Sequence, residues 1–406
     1  MRLSLIPIAL LPLGLAVAPL HAPKRDIAST APPMRVVGYL ASWGVRTKGT
    51  SIAQLPAKHL THIFYAFALI ARDGSVGLGD RCVDVGACAR NSQLPLPTTP
   101  RGNFGELQRL KRRYPHLKVA ISIGGWGGSA RFSDAALTDS ARRRFSQSAI
   151  DLFIRHWPGL FDSIDIDWEF PVQGGLKGNS ERPVDKQNFT LLLAELRSEL
   201  DAQGARDKRH YELTIAASAR PSEIANIELD RIVPLLDFIN VMTYDYHTGG
   251  SIAHFNAPLF AATNDPTPEL NVDASMRAFR AGGVPAEKLL VGIPFFARVY
   301  GKVPNVNAGL FQPSSGPPKD WRESEGDWRR LSRTRLTNPR YTRHWEPAAR
   351  VPWLYDERSG TWISYDDPEA VRAKVDYARE QGFGGVIIWE LGADDGRLMQ
   401  AISGSH

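Results

Sequence analysis

Cysteine is scarce in this chain. Only two of the 406 residues are cysteines, Cys82 and Cys88, and both lie in the segment RCVDVGACAR. A single pair of cysteines does not establish a metal site, so the sequence predicts neither a bound metal nor another cofactor. If the protein is exported, the two thiols are expected to form one local disulfide, and two free thiols are the alternative.

The chain also lacks a concentrated stretch of one charge, although its formal net charge is +6 and its pI is about 9.3. Its short basic runs, Lys111 to Arg113 and Arg142 to Arg144, are interpreted as solvated helix faces. Recognition of nucleic acid would need a basic stripe combined with aromatic or base-reading residues. The sequence shows no such stripe, so a nucleic-acid partner is not predicted.

A long apolar run occurs only near the N-terminus, from Leu3 to about Leu20. It follows a single Arg and precedes small residues, which is the order typical of a secretory signal peptide, predicted over residues 1–22. An uncleaved membrane anchor is the alternative, but three prolines and a glycine interrupt the run, and it barely reaches the ~20 residues of a spanning helix. We therefore expect a secreted or periplasmic protein with no stable membrane association after signal cleavage.

Internal repeats and a second binding module are also lacking. Residues 23–33 are rich in Pro and Ala and are predicted to be a leader, so residues 34–406 form one large domain. In this domain short apolar runs alternate eight times with helical patterns. The predicted strands are Arg35–Ser42, His62–Leu69, Lys118–Ile123, Asp162–Glu169, Glu212–Ser218, Phe238–Tyr244, Leu289–Phe296 and Gly385–Trp389.

Eight strand-then-helix units predict the α/β class and a TIM-type (β/α)8 barrel, with a doubly wound open sheet as the alternative. The clearest helical patterns cover Ala141–His156, Lys186–Gln203, Asp273–Ala281 and Pro368–Gln381. Residues 299–367 are too many for a simple crossover. They predict a small α+β insertion between strand 7 and the last helices, with strands at Pro352–Asp356 and Thr361–Tyr365.

Unexpected polar and aromatic residues follow the predicted strands. They are Ser42, Trp43, Trp126, Glu169, Tyr244, Asp245, Arg298 and Trp389. In a barrel of this kind the functional site lies at the carboxyl ends of the strands. The pattern therefore predicts one site formed by several loops.

The segment FDSIDIDWEFP carries Asp165, Asp167 and Glu169 at alternate positions. Strand side chains alternate between faces, so the three acids share one face while Ile and Trp occupy the other. An antiparallel strand with its polar face in water is the ordinary alternative. The bulky apolar partners and the preceding helical stretch favour a buried strand, where crowding and desolvation would raise the pKa of at least one acid. Such a site suits proton transfer.

These motifs resemble family 18 glycoside hydrolases, the chitinases, from Met34 to about Ser403. Residues 162–169 are similar to the family signature DGxDxDxE. Residues 122–125 are similar to its SxGG motif, and residues 242–245 are similar to its MxYD motif. Further similarity lies at Gly38-Tyr39, Tyr65 to Ala68, Gly292 to Arg298, and Trp389. The long insertion resembles that of the deep-cleft chitinase subgroup.

The resemblance implies a role for each matching residue. Glu169 would be the general acid and base, Asp167 would orient the N-acetyl group of the sugar, and Asp165 would share a proton with Asp167. Tyr244 would hydrogen-bond the acetamido carbonyl. Family 18 needs no protein nucleophile, because the substrate's own acetamido group attacks the anomeric carbon. The implied substrate-binding residues are Tyr39, Trp43, Phe67, Trp126, Met242, Asp245, Arg298 and Trp389.

Several positions depart from the family pattern. Ser163 replaces a Gly, Phe170 a Tyr, and Phe296-Ala297 a Tyr-Gly, and these changes are expected to adjust activity rather than abolish it. Residues 246–251 lack the Trp that many relatives stack against the leaving-group sugar. Asp162 has the opposite strand parity from the triplet and is expected to be structural.

The sequence thus predicts an exported monomer, and the resemblance implies a retaining chitinase acting on chitin or chito-oligosaccharides. Two alternatives stay open. The first is a chitin-binding lectin of the same fold, although such proteins typically lack the acid at the position of Glu169. The second is a hydrolase of another N-acetylglucosamine linkage, in the N-glycan core or in peptidoglycan.

Overall fold

The computed structural model describes residues 34–88 and 95–404, so the predicted signal peptide and leader lie outside the described residues. Its strands are β1 Arg35–Ala41, β2 His62–Ile70, β3 Val76–Gly77, β4 Lys118–Gly124, β5 Ser163–Asp167, β6 Glu212–Ser218, β7 Phe238–Met242, β8 Leu289–Pro294, β9 Arg298–Tyr300, β10 Thr342–Glu346, β11 Val351–Asp356, β12 Thr361–Ser364 and β13 Gly385–Trp389. Its α-helices are α1 Gly44–Thr47, α2 Arg81–Val85, α3 Gly102–Arg113, α4 Phe132–Ala135, α5 Asp139–Ala149, α6 Asp185–Asp207, α7 Pro221–Ile224, α8 Leu229–Ile232, α9 Val272–Ala281, α10 Trp328–Thr334, α11 Pro368–Glu380 and α12 Arg397–Ser403.

Eight parallel strands close into a barrel. Their order is β1, β13, β8, β7, β6, β5, β4 and β2, and β2 pairs again with β1. The predicted TIM-type barrel is therefore confirmed. The doubly wound open sheet is wrong, because β1 has a parallel neighbour on each side and no edge of the barrel sheet is left unpaired.

Strand β5 separates two apolar layers, as its alternating sequence predicts. Ile164, Ile166 and Trp168 are buried in the layer between barrel and helices. The Trp168 ring stacks on Phe132 of α4 at 5.2 Å and meets Phe189 of α6 edge-on at 5.4 Å. Asp165 and Asp167 point the other way, into the barrel. That inner layer holds a smaller apolar cluster that includes Tyr39, Phe64 and Phe238.

The stretch between β8 and α11 contains strands β9 to β12, which form a separate antiparallel sheet in the order β10, β11, β12, β9. Both strands predicted there from the sequence are present as β11 and β12. The sheet has its own apolar core, where the Trp362 ring lies between Trp353 and Tyr300. Phe255, from the long connection after β7, also packs into this core. The insertion is thus anchored to a second barrel loop.

Two predicted boundaries shift in ways that matter for the site. Strand β5 ends at Asp167, so Glu169 lies just beyond the strand at the barrel mouth. The predicted helix Ala141–His156 is α5 followed by a π-helical turn, Ile150–Arg155.

The interpretation of the basic runs as solvated faces is wrong at two positions. Arg142 is buried, donates to the Ala136 carbonyl and pairs with Asp139. Lys111 extends to Asp162, with 2.5 Å between Nζ and Oδ2. Asp162 also accepts a hydrogen bond from the Val119 amide of β4 at 2.8 Å. Asp162 therefore joins neighbouring elements, which agrees with its expected structural role.

Cys82, at the start of α2, forms a disulfide with Cys88. Within residues 34–88 and 95–404, no helix is both long enough and apolar enough to cross a membrane.

Candidate active site

A cleft of ≈ 1130 Å³ opens at the carboxyl ends of the barrel strands. Eleven of the twelve sequence-predicted catalytic and binding residues line it: Tyr39, Trp43, Phe67, Trp126, Asp167, Glu169, Met242, Tyr244, Asp245, Arg298 and Trp389. The exception is Asp165, which lies beneath the cleft surface and is fully buried. The structure therefore brings the dispersed motifs together in one place, as expected of this barrel architecture.

Asp165 is held by four hydrogen-bond donors. Its Oδ2 accepts from the Tyr39 hydroxyl at 2.9 Å and from the Ser122 hydroxyl at 2.7 Å. Its Oδ1 accepts from the Thr214 hydroxyl at 2.6 Å and from the Asn240 amide at 3.3 Å. Burial raises the pKa of Asp165, and these hydrogen bonds oppose that rise. Four converging donors suit an ionised carboxylate, which only accepts.

Asp167, two residues further along β5, has a different environment. It is buried, and its Oδ1 has no hydrogen-bond partner among the described residues. Burial raises the pKa of Asp167 well above its ordinary value, and the charges of Glu169 and Asp165 raise it further. Both effects favour the protonated form of Asp167. In this part of the chain no hydrogen bond joins the Asp165 and Asp167 carboxyl groups, so the predicted sharing of a proton stays a prediction.

Glu169 is held at the barrel mouth through its backbone. Its amide donates to the Ser129 hydroxyl at 2.9 Å, and its carbonyl accepts from the Asn179 amide at 3.1 Å. Burial raises the pKa of Glu169 to about 8, and the second cause is the charge of Asp245. The rise that the sequence predicts from crowding of the triplet is confirmed at Asp167, whereas the charge that raises the pKa of Glu169 is that of Asp245. The main charge partner comes from the loop after β7.

The segment Ser122 to Gly125 fits closely under β5. The Gly125 amide donates to the Asp167 carbonyl at 2.8 Å. A Cβ on Gly124, whose φ is +113°, would lie 2.2 Å from that same carbonyl oxygen. Glycine is required at Gly124 because the backbone approaches closely and adopts a positive φ. The Ser122 side chain and the glycine backbone thus position the two aspartates together.

Tyr244 and Asp245 follow β7 and face the acids from across the cleft. Burial raises the pKa of Tyr244 well above its ordinary value, and Asp167 is the strongest of the nearby charges. No hydrogen-bond partner of its hydroxyl occurs among residues 34–88 and 95–404, so the hydroxyl is available to a ligand. The Asp245 carboxylate accepts hydrogen bonds from Nε and from a terminal nitrogen of Arg298, at 2.5 and 2.7 Å. This paired contact fixes the orientation of both side chains.

Aromatic rings form one wall of the cleft. Trp389 stacks on Phe67 with 5.8 Å between ring centroids, and Trp43 lies 6.5 Å from Trp389. Trp43 and Trp126 are 44% and 48% exposed, although Trp is usually well buried. Flat exposed rings of this kind suit contact with the apolar faces of sugars.

Two groups of cleft residues were missed by sequence reasoning. The first is an ion cluster in which Lys48 Nζ lies 2.8 Å from Glu390 and 3.0 Å from Asp327. The second consists of Arg220, Glu223 and Thr248 on the opposite side. The position of Glu390 after Trp389 was the one available signal, because the other residues belong to no recognisable motif.

Across the described ranges, no group of three or more His, Cys, Asp or Glu side chains is arranged to hold a metal ion. What the arrangement offers is an acid whose pKa is raised to about 8, a buried carboxyl with a free oxygen, and a free phenol, all facing one cleft.

The sequence profile of Glycosyl hydrolases family 18 matches residues 35–394. The chain belongs to this family. Chitinase A1 of Niallia circulans is 36% identical over 95% of this chain, and the match covers 60% of that protein's length. The solved structure of chitinase ChiA74 from Bacillus thuringiensis has a TM-score of 0.84 at 33% identity. The match covers 92% of this chain and 69% of the ChiA74 chain.

Another solved structure, a family 18 N-acetylglucosaminidase from Paenibacillus barengoltzii, has a TM-score of 0.78 at 33% identity and covers 92% of this chain and all of its own. The resemblance predicted from the motifs is confirmed, and the protein is a glycoside hydrolase of the chitinase family.

Proposed function

We propose that this protein is an exported, retaining chitinase that hydrolyses β-1,4 bonds between N-acetylglucosamine units by substrate-assisted catalysis. The observation that carries the proposal is the pairing of Glu169, protonated at neutral pH, with the free Oδ1 of buried Asp167. One acid is ready to donate a proton, and the other is ready to accept an amide N–H. A sugar bearing an N-acetyl group supplies the partner for each of them.

In the first step Glu169 gives its proton to the glycosidic oxygen as the bond from that oxygen to the anomeric carbon breaks. The acetamido carbonyl oxygen of the same sugar attacks the anomeric carbon and forms an oxazolinium ion. Asp167 Oδ1 accepts the acetamido N–H, and the Tyr244 hydroxyl donates to the acetamido oxygen. Both contacts hold the group in the attacking geometry.

Positive charge develops on the oxazolinium ring, and this favours ionisation of Asp167. The proton of Asp167 passes to the Asp165 carboxylate. One hydrogen-bond donor of Asp165 gives up its contact, so that a carboxylate oxygen can accept this proton. In the second step water attacks the anomeric carbon, and the Glu169 carboxylate removes the proton of that water. The anomeric carbon is inverted twice, so the product keeps the β configuration.

Export is part of the proposal. It is supported by the signal-like N-terminal sequence and by the disulfide between Cys82 and Cys88, since disulfides persist in oxidising compartments. A monomer acting without a cofactor is the expected form.

A hydrolase of another N-acetylglucosamine linkage is the second candidate, and release of single N-acetylglucosamine units belongs with it. The likeness to the Paenibacillus barengoltzii N-acetylglucosaminidase favours keeping it. The lectin alternative is disfavoured, because Glu169 is present with a raised pKa.

Purified protein should be given chitohexaose, a high-mannose glycoprotein and peptidoglycan, with products resolved by length. The proposal predicts chitobiose or chitotriose from chitohexaose and no release from the other two. Single sugars alone would support the N-acetylglucosaminidase reading. Cleavage of only the glycoprotein or peptidoglycan would overturn the choice of substrate, and binding without cleavage would indicate a lectin.

A further inference from the structure

Three polar residues line the cleft on the leaving-group side. Arg220 donates to the Asp245 and Tyr246 carbonyls at 2.8 and 2.6 Å, so it lies directly under the segment that lacks the stacking Trp. Glu223, in α7, faces the loop that follows Glu169. A Cβ built on Gly174 would lie 3.1 Å from Glu223 Oε1. Glu223 therefore borders the space next to the proton donor.

Glu223 has no cationic partner. Its side chain receives one weak contact, from the Ser218 hydroxyl at 3.3 Å. No Lys, Arg or His nitrogen within residues 34–88 and 95–404 forms an ion pair with it, since the guanidinium of Arg220 is engaged by backbone carbonyls. A half-buried carboxylate beside a substrate path, without a counterion of its own, is suited to a cation carried by the ligand.

The whole cleft is acidic, although the chain has a net charge of +6. Among the described residues, eight acids line it against three bases. The bases are Lys48, Arg220 and Arg298. Lys48 pairs with Glu390 and Asp327, and Arg298 pairs with Asp245. Glu223 is the acid on the leaving-group side, and among the described residues no base forms an ion pair with it.

We propose that Glu223 gives the enzyme a preference for glucosamine, the deacetylated sugar, on the leaving-group side of the cleaved bond. The substrate class is then partly deacetylated chitin, and the preferred bond joins N-acetylglucosamine to glucosamine. The inference rests on the proposed function, because substrate assistance requires an acetamido group on the sugar whose bond breaks. The ammonium group is therefore excluded from that one sugar, and on the leaving-group side the Glu223 carboxylate receives it.

The test is digestion of a randomly acetylated chitosan at a pH where its amines are charged, with the sugar at each new chain end identified. The sugar at a new non-reducing end occupied the leaving-group side. For wild type, the ratio of glucosamine to N-acetylglucosamine at these ends should exceed the ratio in the polymer roughly two- to fivefold, the effect of one partly exposed ion pair. Glu223→Gln should bring this ratio to that of the polymer, and Glu223→Lys should bring it below. High salt should weaken the wild-type preference.

Glu106→Gln is the matched control, because it removes a carboxylate on α3 outside the cleft and should leave the preference unchanged. An equal share of glucosamine in wild type, Glu223→Gln and Glu223→Lys would overturn the inference. The new reducing ends report separately on the proposed function. If they are N-acetylglucosamine, substrate assistance stands even when the preference fails, and glucosamine at those ends would contradict substrate assistance itself.

Discussion

The two sides of the cleft offer a sugar different kinds of interaction. One side is a wall of rings, with Trp389 stacked on Phe67 and Trp43 nearby. The other side carries Arg220, Glu223 and Thr248, and no ring from residues 246–251 stacks into it in place of the missing Trp. Rings hold a sugar by its apolar face, whereas a carboxylate favours a sugar with a positively charged substituent. We infer that the ring wall supplies affinity and the polar side supplies selection.

The largest expected effect lies at the junction of the two sides. Glu169→Gln keeps the shape of the side chain but removes the transferable proton, so kcat on chitohexaose should fall roughly 10²- to 10⁴-fold. Binding of the oligosaccharide to the ring wall should persist. Calorimetric titration together with initial rates checks both statements. Near-normal turnover in this variant would remove Glu169 from the mechanism.

The pH dependence of wild type comes next. Because Glu169 must be protonated to act and its pKa is about 8, kcat/KM should fall about tenfold per pH unit above pH 8. Asp245→Asn removes the charge that helps to raise this pKa, so its falling limb should move to lower pH. Rates measured across the pH range for both proteins test the prediction. A wild-type limb near the ordinary carboxyl range would contradict the raised pKa.

The contrast between the two sides can be tested by removing a ring from one side and adding a ring to the other. Trp389→Ala should lower kcat/KM on chitohexaose about tenfold, since a stacking ring is lost. Thr248→Trp places a ring on the exposed leaving-group side and should lower KM a few-fold, with a larger share of transglycosylation products. Steady-state kinetics and product chromatography measure both effects. If Thr248→Trp changes neither quantity, a ring at this position does not compensate for the missing Trp.

The smallest effect concerns the support of the leaving-group side. The His247 and His254 rings stack with centroids 3.6 Å apart, Asp265 pairs with His254, and the Arg220 charge is close to His247. Burial, followed by the charge of His254, lowers the pKa of His247 to about 4. The unfolded chain binds a proton here near pH 6.5 and the folded chain does not. Stability should therefore fall as the pH drops from about 6.5 to about 4, by up to about 1.4 kcal/mol per unit.

Urea midpoints at neutral and mildly acidic pH measure this loss. His247→Gln should lose less stability than wild type over the same interval. Trp389→Ala, which removes no titrating group, should follow wild type. An equal loss of stability in all three proteins would rule out a contribution from His247.

Local pattern was enough to predict the barrel. Strands β6 and β13 agree with their predicted bounds, because continuous apolar runs between turn residues define them. The face shared by Asp165 and Asp167 also followed from strand alternation. These features depend on near neighbours in the chain, and the sequence reports on near neighbours directly.

Contacts between distant segments could not be predicted. Lys48 and Glu390 pair across 342 residues, and Asp245 raises the pKa of Glu169 from a different loop. The hydroxyl of Ser129 that holds the Glu169 amide lies in a loop without a motif. Such contacts depend on how the barrel brings its loops together, which no local pattern encodes. The lack of an ion pair at Glu223 among the described residues could not be predicted for the same reason.

The most direct test of substrate assistance is the anomeric form of the first products from chitohexaose, measured by proton NMR before mutarotation. Substrate assistance by the acetamido group predicts that the new reducing ends appear as the β anomer. Initial release of the α anomer would mean that water attacks directly. That result would contradict the roles proposed for Asp167 and Tyr244.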